Sequence, residues 1–244
     1  MNDRSNMRIS VFDDLQSLSR GAAELFQSLS CTVIATKGRF AVALSGGTTP
    51  RLLYTLLGSA PYQNTIDWPR IHLFWADERC VPSDHPESNY KLVRDTLLKN
   101  LSLPGKNVHN IQGEVDPTEA ACAYEQDIKE FYGAVTFPSF DLIILGVGVD
   151  GHTASLFPGS SSVTEADRIA IPIYRKDPQI NRVTLTMPVI NHASNILFLV
   201  AGKSKASVLQ NILCQGNSKG YPAGLVSTKS GIVEWFLDNE AAGR

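Results

Sequence analysis

The chain has 244 residues, 43% of them hydrophobic and 19% charged, with a formal net charge of −2 at pH 7. That length can bury a full core as one α/β domain or two small ones, and the near-balanced charge excludes a surface made to coat a polyanion, so nucleic acid is not an expected partner. The polar stretch from Met1 to Ser10 has no apolar targeting core, and no segment approaches the ~18 uninterrupted apolar residues of a membrane span, which predicts a cytosolic protein that engages no membrane.

In chain order, Leu15, Leu18, Ala22, Leu25, Phe26 and Leu29 recur at helical spacing and predict an amphipathic helix from Asp13 to Leu29. A strand is expected at Phe40 to Leu44, then the turn Ser45-Gly46-Gly47-Thr48-Thr49-Pro50, then a helix carrying Leu52, Leu53, Leu56 and Leu57. Ile71 to Ala76 reads as a strand that runs straight into a charged turn, Asp77-Glu78-Arg79. Helices are expected from about Glu87 to Leu101 and from Pro117 to Phe131, followed by the apolar strand Leu142 to Leu145 and a glycine-rich turn reaching Gly159. Ile169 to Tyr174 and Arg182 to Thr186 look extended, and Ile196 to Val200 is an apolar run before Ala201-Gly202-Lys203-Ser204-Lys205 and a helical stretch, Ala206 to Leu213.

Strands alternating with helices imply a mostly parallel sheet covered on both faces. No low-complexity linker, repeat or charge block divides the chain, so residues 1–244 are expected to form one domain. Cys31, Cys80, Cys122 and Cys214 stand singly, with no Cys-x-x-Cys pair and no histidine at metal spacing. They are expected to be reduced thiols, with no metal site.

Polar residues cluster directly after the predicted strands, at Ser45 to Thr49, Asp77 to Arg79, Asp150 to His152 and Gly202 to Lys205. Parallel strands would bring all four turns to one sheet edge, where open α/β sheets collect their ligands. In the first turn, glycines let the backbone approach closely and leave amides and hydroxyls beside a helix N-terminus, an arrangement suited to phosphate. The Gly-x-x-x-x-Gly-Lys-Ser/Thr spacing of nucleotide loops is absent, which points to a monophosphate. Gly46 and Gly47 would equally serve a tight strand-to-helix turn with no ligand.

Gly146-x-Gly148-x-x-Gly151 matches the dinucleotide fingerprint formally. Pro158 would cut short a helix opening there, however, and Glu165 and Asp167 lie in a polar loop instead of ending a second strand. Those glycines are better read as freeing the backbone to aim Asp150 and His152 into the crevice. An arbitrary histidine is more often structural, but an imidazole protonates near neutral pH, and this one stands where a ligand crevice is expected, beside carboxylates. Asp77, Glu78 and Arg79 would be a solvated loop in isolation, and Lys203, Lys205 and Arg182 ordinary surface cations; beside the glycine turn, one or two of them would complete a phosphate clamp. No Gly-x-Ser-x-Gly elbow or His-Glu-x-x-His helix occurs, which argues against serine or metal hydrolysis.

Leu44 to Pro50, Trp75-Ala76-Asp77-Glu78-Arg79-Cys80-Val81-Pro82 and Gly146 to Gly159 resemble the signature blocks of the 6-phosphogluconolactonases. Similarity continues through Ser88-Asn89-Tyr90, Arg182 to Asn191 and Gly202 to Ala206. The resemblance implies a three-layer α/β/α, Rossmann-like fold and hydrolysis of 6-phospho-D-glucono-1,5-lactone to 6-phosphogluconate, by a chain expected to act as a monomer with no cofactor. It further implies that His152 is the general base, with Asp150 beside it and Asp77 as a polar or proton-handling residue. Ser45, Gly46, Gly47, Thr48, Arg79, Arg182 and Lys205 would face the phosphate.

Glucosamine-6-phosphate deaminases share the Gly-x-Asp-Gly-His turn but typically continue Ile-Ala-Phe-Asn-Glu-Pro and carry Asp-Glu-Tyr. Here the residues are Thr153 to Pro158 and Asp77-Glu78-Arg79, without the carboxylate that assists ring opening. A non-catalytic sugar-phosphate or nucleotide-binding module is the alternative of a different class. One departure from the lactonase pattern is Arg175-Lys176-Asp177-Pro178-Gln179-Ile180-Asn181, where a Pro-Lys-x-Pro-Pro-like run is common.

Overall fold

The computed structural model describes residues 6–133, 135–176, 178–214, 220–228 and 231–244. The first half contains β1 (Met7–Phe12), α1 (Leu15–Lys37), β2 (Phe40–Leu44), α2 (Thr48–Leu57), α3 (Tyr62–Thr65), β3 (Ile71–Trp75), β4 (Asp77–Arg79), α4 (Asn89–Thr96), β5 (Val108–His109) and α5 (Pro117–Tyr132). The second contains β6 (Leu142–Leu145), β7 (Ala170–Ile173), β8 (Arg182–Leu185), α6 (Met187–Asn191), β9 (Asn195–Val200), α7 (Ala206–Leu209), α8 (Pro222–Leu225) and β10 (Ile232–Asp238).

Seven strands form one sheet in the order β1-β10-β9-β6-β2-β3-β5, and each neighbouring pair is parallel. The central strands read as unbroken apolar runs because both faces are covered. Every residue of β2 and of β6 is buried, within one hydrophobic cluster that extends from Leu18 to Ala241. The expected α/β fold with a mostly parallel sheet is therefore the fold observed.

Helix α1 starts where the sequence signals it, at a reciprocal capping box between Asp14 and Ser17. It runs past Leu29 to Lys37, where Gly38 in the left-handed region ends it. The helix expected from Glu87 to Leu101 is shorter: α4 begins after the Ser88 cap and gives way to a 3-10 turn at Leu98–Asn100. The stretch from Ala206 to Leu213 is helical but mixed, α7 passing into a π-helical turn at Gln210–Cys214. Strands β1, β5 and β10 of the main sheet are additions to the expected set.

The main correction concerns Asp77-Glu78-Arg79. These residues do not form a solvated turn; they form β4, the edge of a second, antiparallel sheet ordered β4-β8-β7. Ala76 is the junction, its N–H donating to Leu44 of the main sheet and its carbonyl accepting from Leu185 of the small one. The second sheet thus stands at the carboxyl end of the first. Among the described residues no helix is long and apolar enough to cross a membrane.

Candidate active site

The chain passes from β2 to β3 on one side of the sheet and from β6 to β9 on the other, so the winding reverses between the neighbours β6 and β2. Loops leaving adjacent strands in opposite directions open a crevice at their carboxyl ends. A cavity of about 220 Å³ lies there, and Ser45, Gly46, Gly47, Thr48, Asp77, Arg79, His152, Arg182 and Lys205 all contribute to its wall. Asp150 is the one expected site residue that does not line it; it is exposed and held against His152.

On one side, the β2 turn is anchored from below by Tyr54, whose hydroxyl donates to the Ser45 carbonyl at 2.6 Å. Gly47 has φ 104° and precedes α2 as its cap residue, a conformation that favours glycine. Thr48 and Thr49 of the first turn of α2 line the cavity, and the buried Ser45 hydroxyl has no hydrogen-bond partner among the described residues. Gly46 is different: its φ is ordinary, and a β-carbon there would overlap the side-chain amide of Asn89. The room at Gly46 is taken by protein.

Strand alternation sorts the acidic block that the sequence left as one loop. In the β4/β8 ladder, Asp77 opposes Thr184 and Arg79 opposes Arg182, so Asp77 and both arginines share the cavity face. Glu78 points the other way. The Asp77 carboxylate is engaged on both oxygens: Oδ2 accepts from the buried Ser155 hydroxyl at 2.6 Å and faces Arg182 Nη1 at 3.9 Å, while Oδ1 accepts from Asn89 Nδ2 at 3.3 Å. Arg79 is steered by Glu87, whose carbonyl accepts from Nη1 at 2.6 Å. The buried Nε atoms of Arg79 and Arg182 have no hydrogen-bond partner among the described residues. Burial pushes the Arg182 guanidinium below its ordinary range, with Asp77 opposing and Arg79 and Arg175 reinforcing that shift. Two guanidiniums directly opposed across a ladder, each with an unused donor, make a site for an anion.

Glu78 is buried on the reverse face, where its oxygens accept the backbone N–H groups of Arg79, Asn89 and Tyr90, each at 2.7 Å. Burial pushes its carboxyl up to about 7 against the pull of those amides.

Across the cavity, the turn after β6 closes through Gly151 N–H to the Gly148 carbonyl and Gly148 N–H to the His152 carbonyl, both 2.9 Å. A side chain at Gly148 would collide with the His152 ring and the Asp150 carboxylate. Asp150 Oδ1 lies 2.5 Å from His152 Nδ1 and 3.2 Å from its backbone nitrogen, so the carboxylate both orients the imidazole and closes the turn. Burial raises the Asp150 carboxyl, but the hydrogen bonds from His152 outweigh it and hold the group below its ordinary range. In the neutral tautomer that donates from Nδ1 to Asp150, Nε2 is the acceptor. The ring also packs against Phe157 at 4.7 Å between centroids. Ala154, on the cavity wall, has φ 47°, a left-handed conformation that a non-glycine residue adopts only under tertiary constraint.

Residues 146–160 contain no helix, so the third glycine of the formal dinucleotide match has no helix N-terminus to offer a pyrophosphate. After β9, Gly202 N–H is held by both Asp238 carboxylate oxygens at 3.0 Å. That turn puts Lys205 on the cavity wall and leaves Lys203 exposed. Burial lowers the Lys205 ammonium, and Asp150 opposes the shift. Among the described residues no cluster of three or more His, Cys, Asp or Glu side chains could hold a metal ion. Of the Arg175 to Asn181 loop, Asp177 lies outside the described residues; Arg175 covers the Phe157 ring at 3.9 Å.

Residue-level reading of the sequence assigned no role to Asn89, Ser155 or Phe157. For Asn89 a signal existed, since Ser88-Asn89 stands where a helix cap precedes an amphipathic run. Ser155 and Phe157 act through contacts that only the fold creates.

Residues 13–235 match the family model described as glucosamine-6-phosphate isomerases/6-phosphogluconolactonase. The chain is 41% identical over 212 residues to the 6-phosphogluconolactonase of Synechocystis, a match covering 85% of each protein. It is 40% identical to the Homo sapiens 6-phosphogluconolactonase over 96% of this chain and 92% of that one. Among solved structures, the 6-phosphogluconolactonase from Trypanosoma cruzi superposes with a TM-score of 0.86 at 32% identity, covering 97% of this chain and 96% of the other. Matches of this extent, on a sheet with this switch point, place the chain in the glucosamine-6-phosphate isomerase/6-phosphogluconolactonase family.

Proposed function

We propose that this chain hydrolyses 6-phospho-D-glucono-1,5-lactone to 6-phospho-D-gluconate, a step of the oxidative pentose phosphate pathway. The observation that carries the reading is the polarity of one cavity, with Arg79, Arg182, Lys205 and the Ser45 to Thr48 turn on one side and an imidazole backed by a carboxylate on the other. The names of the full-length relatives support the same substrate.

A δ-lactone is a cyclic ester. His152 Nε2 takes a proton from water as the water oxygen bonds to C1, forming a tetrahedral oxyanion. Collapse of that intermediate breaks the bond between C1 and the ring oxygen, and the imidazolium returns its proton to the C5 oxygen. One group thus serves first as base and then as acid, a contribution of about 10²–10⁴-fold. Asp150 keeps Nδ1 protonated and stabilises the imidazolium, as the carboxylate does in other acid–base pairs of this kind. The Ser45 to Thr48 turn, Arg79, Arg182 and Lys205 bind the phosphate, and that remote interaction orients C1 beside the base. Asp77 holds Arg182 and Ser155 in place between the two ends.

The chain's expected form is a monomer of one domain. Its expected setting is the cytoplasm, with neither cofactor nor nucleic acid required. The test is turnover of 6-phosphogluconolactone and of glucosamine 6-phosphate in parallel, with spontaneous lactone hydrolysis subtracted. Lactone turnover alone supports the reading; deamination, or phosphosugar binding with no turnover, overturns it.

A further inference from the structure

Asn89 is 2% exposed, lines the cavity and touches both sides of the anion site. Its Nδ2 donates to the Asp77 carbonyl at 2.8 Å and to the Asp77 carboxylate at 3.3 Å. Its amide oxygen and carbon fill the space where Gly46 would carry a β-carbon, and the three atoms nearest that space all belong to Asn89. Gly46 has no positive φ, so its backbone alone would accept alanine. The side chain is itself fixed, because its backbone N–H donates to Glu78 at 2.7 Å and that of the next residue does the same. The Asn89 amide therefore spans from β4 to the β2 turn, wedged between Asp77 and Gly46.

We propose that Asn89 is a positioning residue that sets the spacing between the phosphate-binding turn and the Asp77–Arg182 pair, and that Gly46 is glycine to admit the Asn89 amide, not to admit the ligand. The proposal rests on the phosphate site assigned above.

A two-by-two set of variants decides it: wild type, Gly46→Ala, Asn89→Ala and the double variant. In wild type, an alanine at 46 must displace either the turn or the amide, and both movements spread the anion donors. Misplacement on the scale of an ångström costs about 10²-fold, so Gly46→Ala is expected to raise KM by at least about tenfold, with kcat affected less. Asn89→Ala removes all three crowding atoms at once. In that background Gly46→Ala should cost no more than about twofold, a coupling of the size seen between side chains in contact.

The same four proteins are melted with and without inorganic phosphate, which reads the anion site without turnover. The outcome for Asn89 is thereby separate from the outcome for lactone hydrolysis. Asn89→Ser, which removes two of the three crowding atoms and whose single γ atom can rotate off the position Asn89 Cγ takes, is the second background and should give a rescue in the same direction if the alanine variant folds poorly. Equal losses from Gly46→Ala in every background, in KM and in the phosphate-induced melting shift, would show that the glycine serves the ligand and would overturn the proposal. So would an Asn89→Ala protein that melts lower yet keeps wild-type KM, kcat and phosphate shift.

Discussion

Replacing Arg182 with methionine separates an anion-binding role from a structural one. Methionine retains an apolar stem of similar length, so the packing of β8 is largely preserved. Arg182 stands directly across the ladder from Arg79, and like charges so placed destabilise by up to about 1 kcal/mol. Its ion pair with Asp77 is long, 3.9 Å, and Asp77 keeps Ser155 and Asn89 as partners without it. The ligand-free variant should therefore melt at the wild-type temperature or slightly above it. The loss appears on binding: a hydrogen bond to a charged group contributes about 1.5–3 kcal/mol, or about tenfold to a hundredfold in KM. Thermal melts with and without inorganic phosphate, paired with lactone kinetics, measure both effects. A ligand-free protein destabilised by several degrees with unchanged KM would refute the reasoning and make Arg182 a structural counter-charge for Asp77.

Other substitutions test the supporting framework. Asp150→Asn cannot both accept from His152 Nδ1 and carry the negative charge, so kcat should fall by about tenfold or more while KM stays close to wild type, measured by steady-state kinetics. Unchanged kcat would assign Asp150 to turn closure alone. Glu78→Gln deprives one of three backbone amides of its acceptor and should cost about 1–3 kcal/mol, seen by denaturant unfolding. The pH dependence has a definite sign: the Glu78 proton is held up to about 7 in the fold against 4.5 in the unfolded chain. The folded state therefore binds more protons across that interval, and the stability contributed by protonated Glu78 is lost as pH rises from about 4.5 to about 7. Glu78→Gln should abolish that slope, and an identical slope in the variant would locate the titration elsewhere.

Features written in local periodicity were the ones the sequence displayed. Fully buried strands such as β2 and β6 are continuous apolar runs that lead into glycine-containing turns, and a parallel sheet puts all such ends on one edge. Edge strand β1 carries no apolar signature because none of its residues is fully buried and they lie within a polar stretch. The strand character of Asp77 to Arg79 was hidden because three charged residues form a strand here only by pairing with β8, more than a hundred positions away. That pairing also decides which carboxylate faces the cavity: Asp77 does and Glu78 does not. Likewise, the reason for glycine at 46 lies in Asn89, a contact no motif spacing records. Gly47 was legible, since its φ of 104° is the kind of backbone that glycine admits.

The account depends most on His152. Single-turnover and steady-state lactone hydrolysis by His152→Ala, with the spontaneous reaction subtracted and folding verified by its melt, should show kcat lowered at least about a hundredfold with little change in KM. A folded His152→Ala protein turning over lactone at close to the wild-type rate would contradict it.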